Sequence, residues 1–229
     1  MSQTISGISS MATRHVLADL VEQYMRHAPQ RVLIESVGGV EAARRVMDGE
    51  PCDLVVLAAD VIDRLAAAGQ IVAGSRTDLA RSGVAIAVAA GATQPGVGSE
   101  AAVRDAVLAA RSIGYSTGPS GSHLSRLFER WGIAETIAPR IVQAPPGVPV
   151  GSLIASGDVE LGFQQLSELI HLPGIDVIGS LPSEIQVVTV FSAAVCTASR
   201  QADEVRKLIS FLASPRAASV KLAHGMDPA

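Results

Sequence analysis

The sequence predicts an α/β protein built on open, doubly wound sheets. Strand-like and helix-like segments alternate from Ile5 to about Ala68 in the order β-α-β-α-β-α, the pattern that winds helices onto both faces of a parallel sheet. The run Asp53-Leu54-Val55-Val56-Leu57-Ala58 is continuously apolar, as a strand covered on both faces requires. Hydrophobic residues make up 48% of the 229 residues and charged residues only 17%, which fits a globular chain with a real core and excludes a disordered one.

The first strand begins near Ile5 and ends in Ser9-Ser10. A helix follows, with Val16, Leu17, Leu20, Val21 and Tyr24 at the spacing of one buried face. Either serine suits the N-cap, where a hydroxyl accepts a first-turn N–H. The helix stops before Pro29, and Arg31–Val37 reads as the second strand. Gly38-Gly39 then turns into a helix from Val40 to Met47. The third strand leads to a helix from Val61 to Ala68. Gly83–Ala90 is a fourth strand, with a helix near 101–109 after it. Ser112–Ser116 is short and strand-like and breaks into the hydroxyl- and glycine-rich loop 117–123, ahead of a helix from Leu124 to Trp131. Pro145-Pro146-Gly147-Val148-Pro149 precedes a helix over 150–156, because proline fits a first helical turn without losing a hydrogen bond. Val159–Gln164 is the next strand, with Gln164 and Gln165 at its carboxyl end. A short strand at 176–179, a long β-prone stretch at 185–195, a helix at 204–212 and a last helix at 217–224 complete the chain.

A net charge of −4 and the lack of any Lys/Arg run with interleaved aromatics exclude nucleic acid as the expected partner. Aromatics are 3%, so a pocket of stacked rings is not expected. No apolar run is long enough to span a bilayer, and membrane insertion is not expected. Met1–Thr4 has neither a basic nor an apolar leader region. If Met1 is the native start, the expected location is cytoplasmic; otherwise it is periplasmic. Cys52 and Cys196 lie in apolar contexts and read as two buried thiols. The five histidines are scattered without metal-ligand spacing, and no cofactor is expected.

Four strand-to-helix turns share one chemistry. Ser9, Ser10, Gly38, Gly39, Ser120, Ser122, Val148 and Gln164 lie at strand carboxyl ends or in the first turns that follow. In open α/β sheets that edge binds ligands, and helix N-termini there favour an anion without any lysine. A small anion is therefore the expected ligand. Arg14, one turn into the first helix, could hold a carboxylate bidentately or lie solvated on the helix face. His123, beside Ser120 and Ser122, is the candidate base, with a surface or capping histidine as the alternative. Glu35 and Glu41 could be acids, although a salt-bridge role is the commoner one for such charges. Nothing in the chain matches a nucleophile elbow, a phosphate loop or a paired acidic metal motif.

Ile8-Ser9-Ser10-Met11-Ala12, Pro51–Asp60, Gly157-Asp158-Val159-Glu160-Leu161-Gly162-Phe163 and Phe211–Ala218 together resemble the periplasmic molybdate-binding proteins of ABC importers, a group of type II solute-binding proteins. The resemblance spans nearly the whole chain. It implies two doubly wound α/β lobes joined by two crossing strands, lobe I from 1–82 plus 188–229 and an inserted lobe II from 83–187, with an anion in the cleft. An ABC importer would be the partner if the protein is exported. Ser10 or Ser9 matches the family's first oxyanion-binding serine. The second falls near Gly38 or Gly39, where a hydroxyl is missing, and the family's tyrosine falls near Gln164. Those departures point away from molybdate and toward a di- or tricarboxylate. The stretch Gly162–Leu169 is also similar to the aconitate isomerases, enzymes with this fold. That likeness implies, as the alternative to simple binding, a 1,3-proton shift within an unsaturated tricarboxylate.

Overall fold

The computed structural model describes residues 4–229. In chain order the elements are β1 (Ile5–Ser10), α1 (Arg14–Met25), β2 (Val32–Val37), α2 (Gly39–Met47), β3 (Leu54–Ala58), α3 (Ala59–Ala67) and β4 (Thr77–Ala89). Then come α4 (Glu100–Ala109), β5 (Ile113–Tyr115), α5 (Pro119–Arg130), α6 (Ala134–Ile137), β6 (Ile141–Gln143), α7 (Val150–Ala155), β7 (Leu161–Gln165) and α8 (Leu166–Leu169). The chain closes with β8 (Ile175–Ser180), β9 (Val188–Val195), α9 (Ala202–Ala213), α10 (Ala218–Ala223) and β10 (Asp227–Pro228). It forms two compact units, one of residues up to Ser82 together with Val190–Ala229, the other of Gly83–Thr189. The chain passes from one unit to the other within β4 and again at β9.

In the first unit β2, β1 and β3 are parallel, with Ser10 opposite Val37 and Ser9 opposite both Ser36 and Val56. The carboxyl ends of the strands therefore lie side by side. β9 adds antiparallel to β3, and β10 adds antiparallel to the first half of β4. Two apolar layers cover the sheet. One carries Val16, Leu17, Leu20, Val21 and Tyr24 of α1 with α9, the other Ala42 and Val46 of α2 with Ile62 and Leu65 of α3. The face expected for α1 is the one it buries.

In the second unit β6, β5 and β7 are parallel, and β4 runs antiparallel to β7 and β8. α4 and α5 cover one face through Val103, Val107, Leu124, Leu127 and Phe128. α7 covers the other very closely. A Cβ on Gly162 would come within 2.4 Å of Ile154 Cδ1, and one on Gly114 within 3.1 Å of Val150 Cγ1. These strand glycines are what let α7 approach the sheet.

Three local expectations are corrected. β4 starts at Thr77, six residues before Gly83, because Leu79 and Ala80 are buried while Asp78 and Arg81 point outward. α5 starts at Pro119, five residues before Leu124, with the proline at its first position. Its glycine is a packing residue, since a Cβ on Gly121 would sit 1.6 Å from the Ser116 carbonyl oxygen. Neither serine hydroxyl caps α1. A 3-10 turn, Met11–Thr13, intervenes, and the Ser10 side chain makes no capping bond.

Candidate functional site

The two serines that end β1 have different fates. Ser9 is fully buried, and its Oγ lies 2.8 Å from Ser36 Oγ on the neighbouring strand. That hydroxyl ties β1 to β2. Ser10, one residue on, alternates to the opposite face, is 7% exposed, and has no hydrogen-bond partner for its Oγ. An orphaned buried hydroxyl costs free energy unless something fills its bonding capacity. Beside it begins α2, capped at Gly38, and a Cβ on Gly39 would meet only Ser10 Cβ, at 3.8 Å. Neither a left-handed φ nor a clash demands glycine at 39. The bare backbone leaves the α2 N-terminus open next to the spare hydroxyl, a neutral donor set suited to an anion.

The second unit has its own edge, made by the carboxyl ends of β5, β6 and β7. Ser120 is buried in the first turn of α5, with its Oγ 3.4 Å from Ser116 Oγ. Ser122 is exposed. Gln164 is 2% exposed. Its Oε1 accepts the Val150 N–H at 2.8 Å, which satisfies the first turn of α7, and its Nε2 donates to Glu168 Oε1 at 2.7 Å. Gln165 donates to Thr189 Oγ1 at 2.8 Å. Ser167 carries the other orphaned buried hydroxyl among the described residues. Glu168 is half-buried and has no ion-pair partner among the described residues. Burial pushes its carboxyl up to about 7 despite the Gln164 donor, which pulls the other way.

A model of the bacterial extracellular solute-binding protein family matches residues 5–227. The chain belongs to this family. Within the solute-binding proteins and their relatives, it is 37% identical to the aconitate isomerase of a Pseudomonas species, over 80% of this chain and 70% of that protein. Its fold is similar to the periplasmic molybdate-binding protein of Azotobacter vinelandii, with a TM-score of 0.81, 20% identity, and 97% and 98% of the two chains covered. It is also similar to the sulfate-binding protein of Mycobacterium tuberculosis, with a TM-score of 0.74, 15% identity, and 99% and 87% covered. The type II periplasmic binding-protein fold expected from the resemblance is therefore the fold of this chain.

The remaining expected residues divide clearly. Arg14 is exposed at the first position of α1. The Val148 N–H is used within its own turn, donating to the Pro145 carbonyl at 3.0 Å. His123 lies one turn inside α5, and its Nε2 donates to the Ile185 carbonyl oxygen at 2.8 Å. Glu35 pairs with Arg45 at 2.7 Å, and that hydrogen bond holds its carboxyl below the ordinary range. Cys52 and Cys196 are buried free thiols with their sulfurs 3.2 Å apart. Glu168 is the functional candidate that residue patterns missed. Its signal was a lone acid three residues after a buried Gln-Gln at a strand end.

Proposed function

We propose that this protein binds a small unsaturated polycarboxylate and moves its double bond by a 1,3-proton shift, as an isomerase of the aconitate type. The observation that carries the reading is the 37% identity to aconitate isomerase over 80% of the chain. Local geometry supports the binding half. The orphaned Ser10 hydroxyl and the bare α2 N-terminus at Gly38-Gly39 offer hydrogen-bond donors to a carboxylate. The second unit, by itself, has the buried Ser120 in the first turn of α5 and the amide of Gln164 at the carboxyl end of β7. Hydrogen bonds from neutral donors to a charged group are worth about 1.5–3 kcal/mol each, so a few of them suffice for a polycarboxylate. A second reading, binding without turnover, is favoured by the match to the solute-binding family itself.

Proton NMR of cis- and trans-aconitate in deuterated water, with the purified full chain, separates the two. Interconversion with deuterium uptake at the allylic carbon supports the isomerase. Tight calorimetric binding with neither supports a receptor. If neither isomer binds while molybdate or sulfate does, the polycarboxylate reading fails.

A further inference from the structure

The isomerase reading names a reaction without naming the group that moves the proton, and the inference here rests on that reading. We propose that Glu168 is the proton-transfer residue and that Gln164 is its positioning residue. Glu168 stands at the carboxyl end of the β5–β7 sheet edge, in the short helix α8 that β7 runs into. Gln164 cannot turn freely. Its Oε1 is committed to the Val150 N–H, so its Nε2 faces Glu168 Oε1. Val150 is held in turn because α7 is pressed onto the sheet and against α8. A Cβ on Gly151 would lie 2.4 Å from Leu172 Cδ1 and 3.3 Å from Leu169 Cδ2. The carboxyl therefore sits on a packed frame, as proton transfer at a fixed carbon requires.

A purely structural role does not account for this residue. Glu168 accepts one side-chain N–H, which a neutral amide oxygen would accept as well. A half-buried carboxyl with no cation partner among the described residues adds a desolvation penalty and returns no ion pair. The elements packed against α8 are β7, β8 and α7. Their one ionisable side chain is Asp176 of β8, whose Oδ2 accepts the Gly91 N–H at 2.9 Å; His171 follows α8 in the chain. Burial is what sets the basicity, and a carboxyl that titrates near neutrality is a stronger base than a solvated one.

The chemistry balances with this single group. The Glu168 carboxylate takes a proton from the methylene carbon of the unsaturated tricarboxylate. The C–H electron pair becomes the new carbon–carbon double bond. The old π pair then takes the proton from the Glu168 carboxyl at the far carbon, which regenerates the carboxylate. The two carbons are separated by one atom, so one carboxyl serves both, and no oxidant or co-reactant is consumed.

The test uses the full chain with cis- and trans-aconitate. Glu168→Gln should lower kcat by about 10²–10⁴ while calorimetric affinity for trans-aconitate changes little and the thermal melt is not lowered. Gln164→Met should move the acid limb of kcat/KM to higher pH, because the amide that favours the ionised carboxyl is gone, and an unmoved acid limb overturns its positioning role. Should Glu168→Gln fail to fold, Glu168→Asp draws the carboxyl back by one methylene. A folded Glu168→Asp protein with kcat lowered about tenfold or more supports the role, and wild-type kcat overturns it. Turnover in Glu168→Gln equal to wild type overturns the role of Glu168 and leaves the isomerase standing. No turnover by the wild type removes the isomerase reading and this role with it.

Discussion

Glu168→Gln also makes a stability prediction that is independent of any ligand. The carboxyl is pushed from an ordinary 4.5 to about 7 by burial, so between those values the folded chain holds a proton that the unfolded chain releases. Stability must therefore fall as pH rises through that window. At about 1.4 kcal/mol per pKa unit the full displacement corresponds to about 3 kcal/mol, and partial solvent access of the side chain reduces it to about 1–2 kcal/mol. Glutamine keeps an acceptor for the Gln164 N–H and never ionises. In urea unfolding at about pH 3.5, below the unfolded carboxyl's value, the two proteins should be equally stable. At about pH 8 Glu168→Gln should be the more stable by about 1–2 kcal/mol, with its Tm higher by roughly 2–8 °C for a chain of this size. Parallel stability–pH curves, or a variant less stable than wild type at the higher pH, would refute the argument that burial sets this carboxyl.

Other sites give separate outcomes. Ser10→Ala removes a hydroxyl that makes no bond, so unfolding should be unchanged or slightly harder. Ligand affinity measured by calorimetry should weaken by roughly 1.5–3 kcal/mol, the scale of one hydrogen bond to a charge. Asp53 is pushed up by burial but held below its ordinary value by Ser199 Oγ, the Ser6 N–H, Gln201 Nε2 and Ser6 Oγ. Its contribution is present above the unfolded carboxylate range and lost as pH falls through the folded value. Asp53→Ala should lower stability by about 1–3 kcal/mol at neutral pH, with the difference closing in acid titrations followed by circular dichroism. Gly121→Ala should be severely destabilising in thermal melts, because its Cβ would overlap the Ser116 carbonyl and push α5 off the end of β5. Mild oxidation should join Cys52 and Cys196, seen as the loss of two hydrogens by intact mass. Closing a loop between residues 144 apart raises stability by at most about 5 kcal/mol in the chain-entropy view. Two thiols still titrating after oxidation would contradict the 3.2 Å approach.

The alternation of apolar strands with helices at 3.6-residue spacing was enough to read the architecture. The strand order that brings Ser10, Val37 and Ala58 to one edge follows from right-handed crossovers between parallel strands. The glycine- and hydroxyl-rich turns at the strand ends were legible for the same reason, since those residue types there are local signals. What the sequence could not decide was which of two adjacent serines keeps a free hydroxyl. Ser9 is claimed by Ser36 across a register set by β1–β2 pairing, and Ser10 is left over. Nor could it place the start of α5, because Gly121 looks like a loop residue until Ser116 is folded against it. Glu168 is the furthest from the sequence. As a residue type it is an ordinary surface acid; its raised basicity comes from burial, against the pull of the Gln164 donor, and its position from Gln164, which is pinned by Val150. Desolvation and hydrogen-bond geometry arise from contacts among distant elements, so only the tertiary structure could decide them.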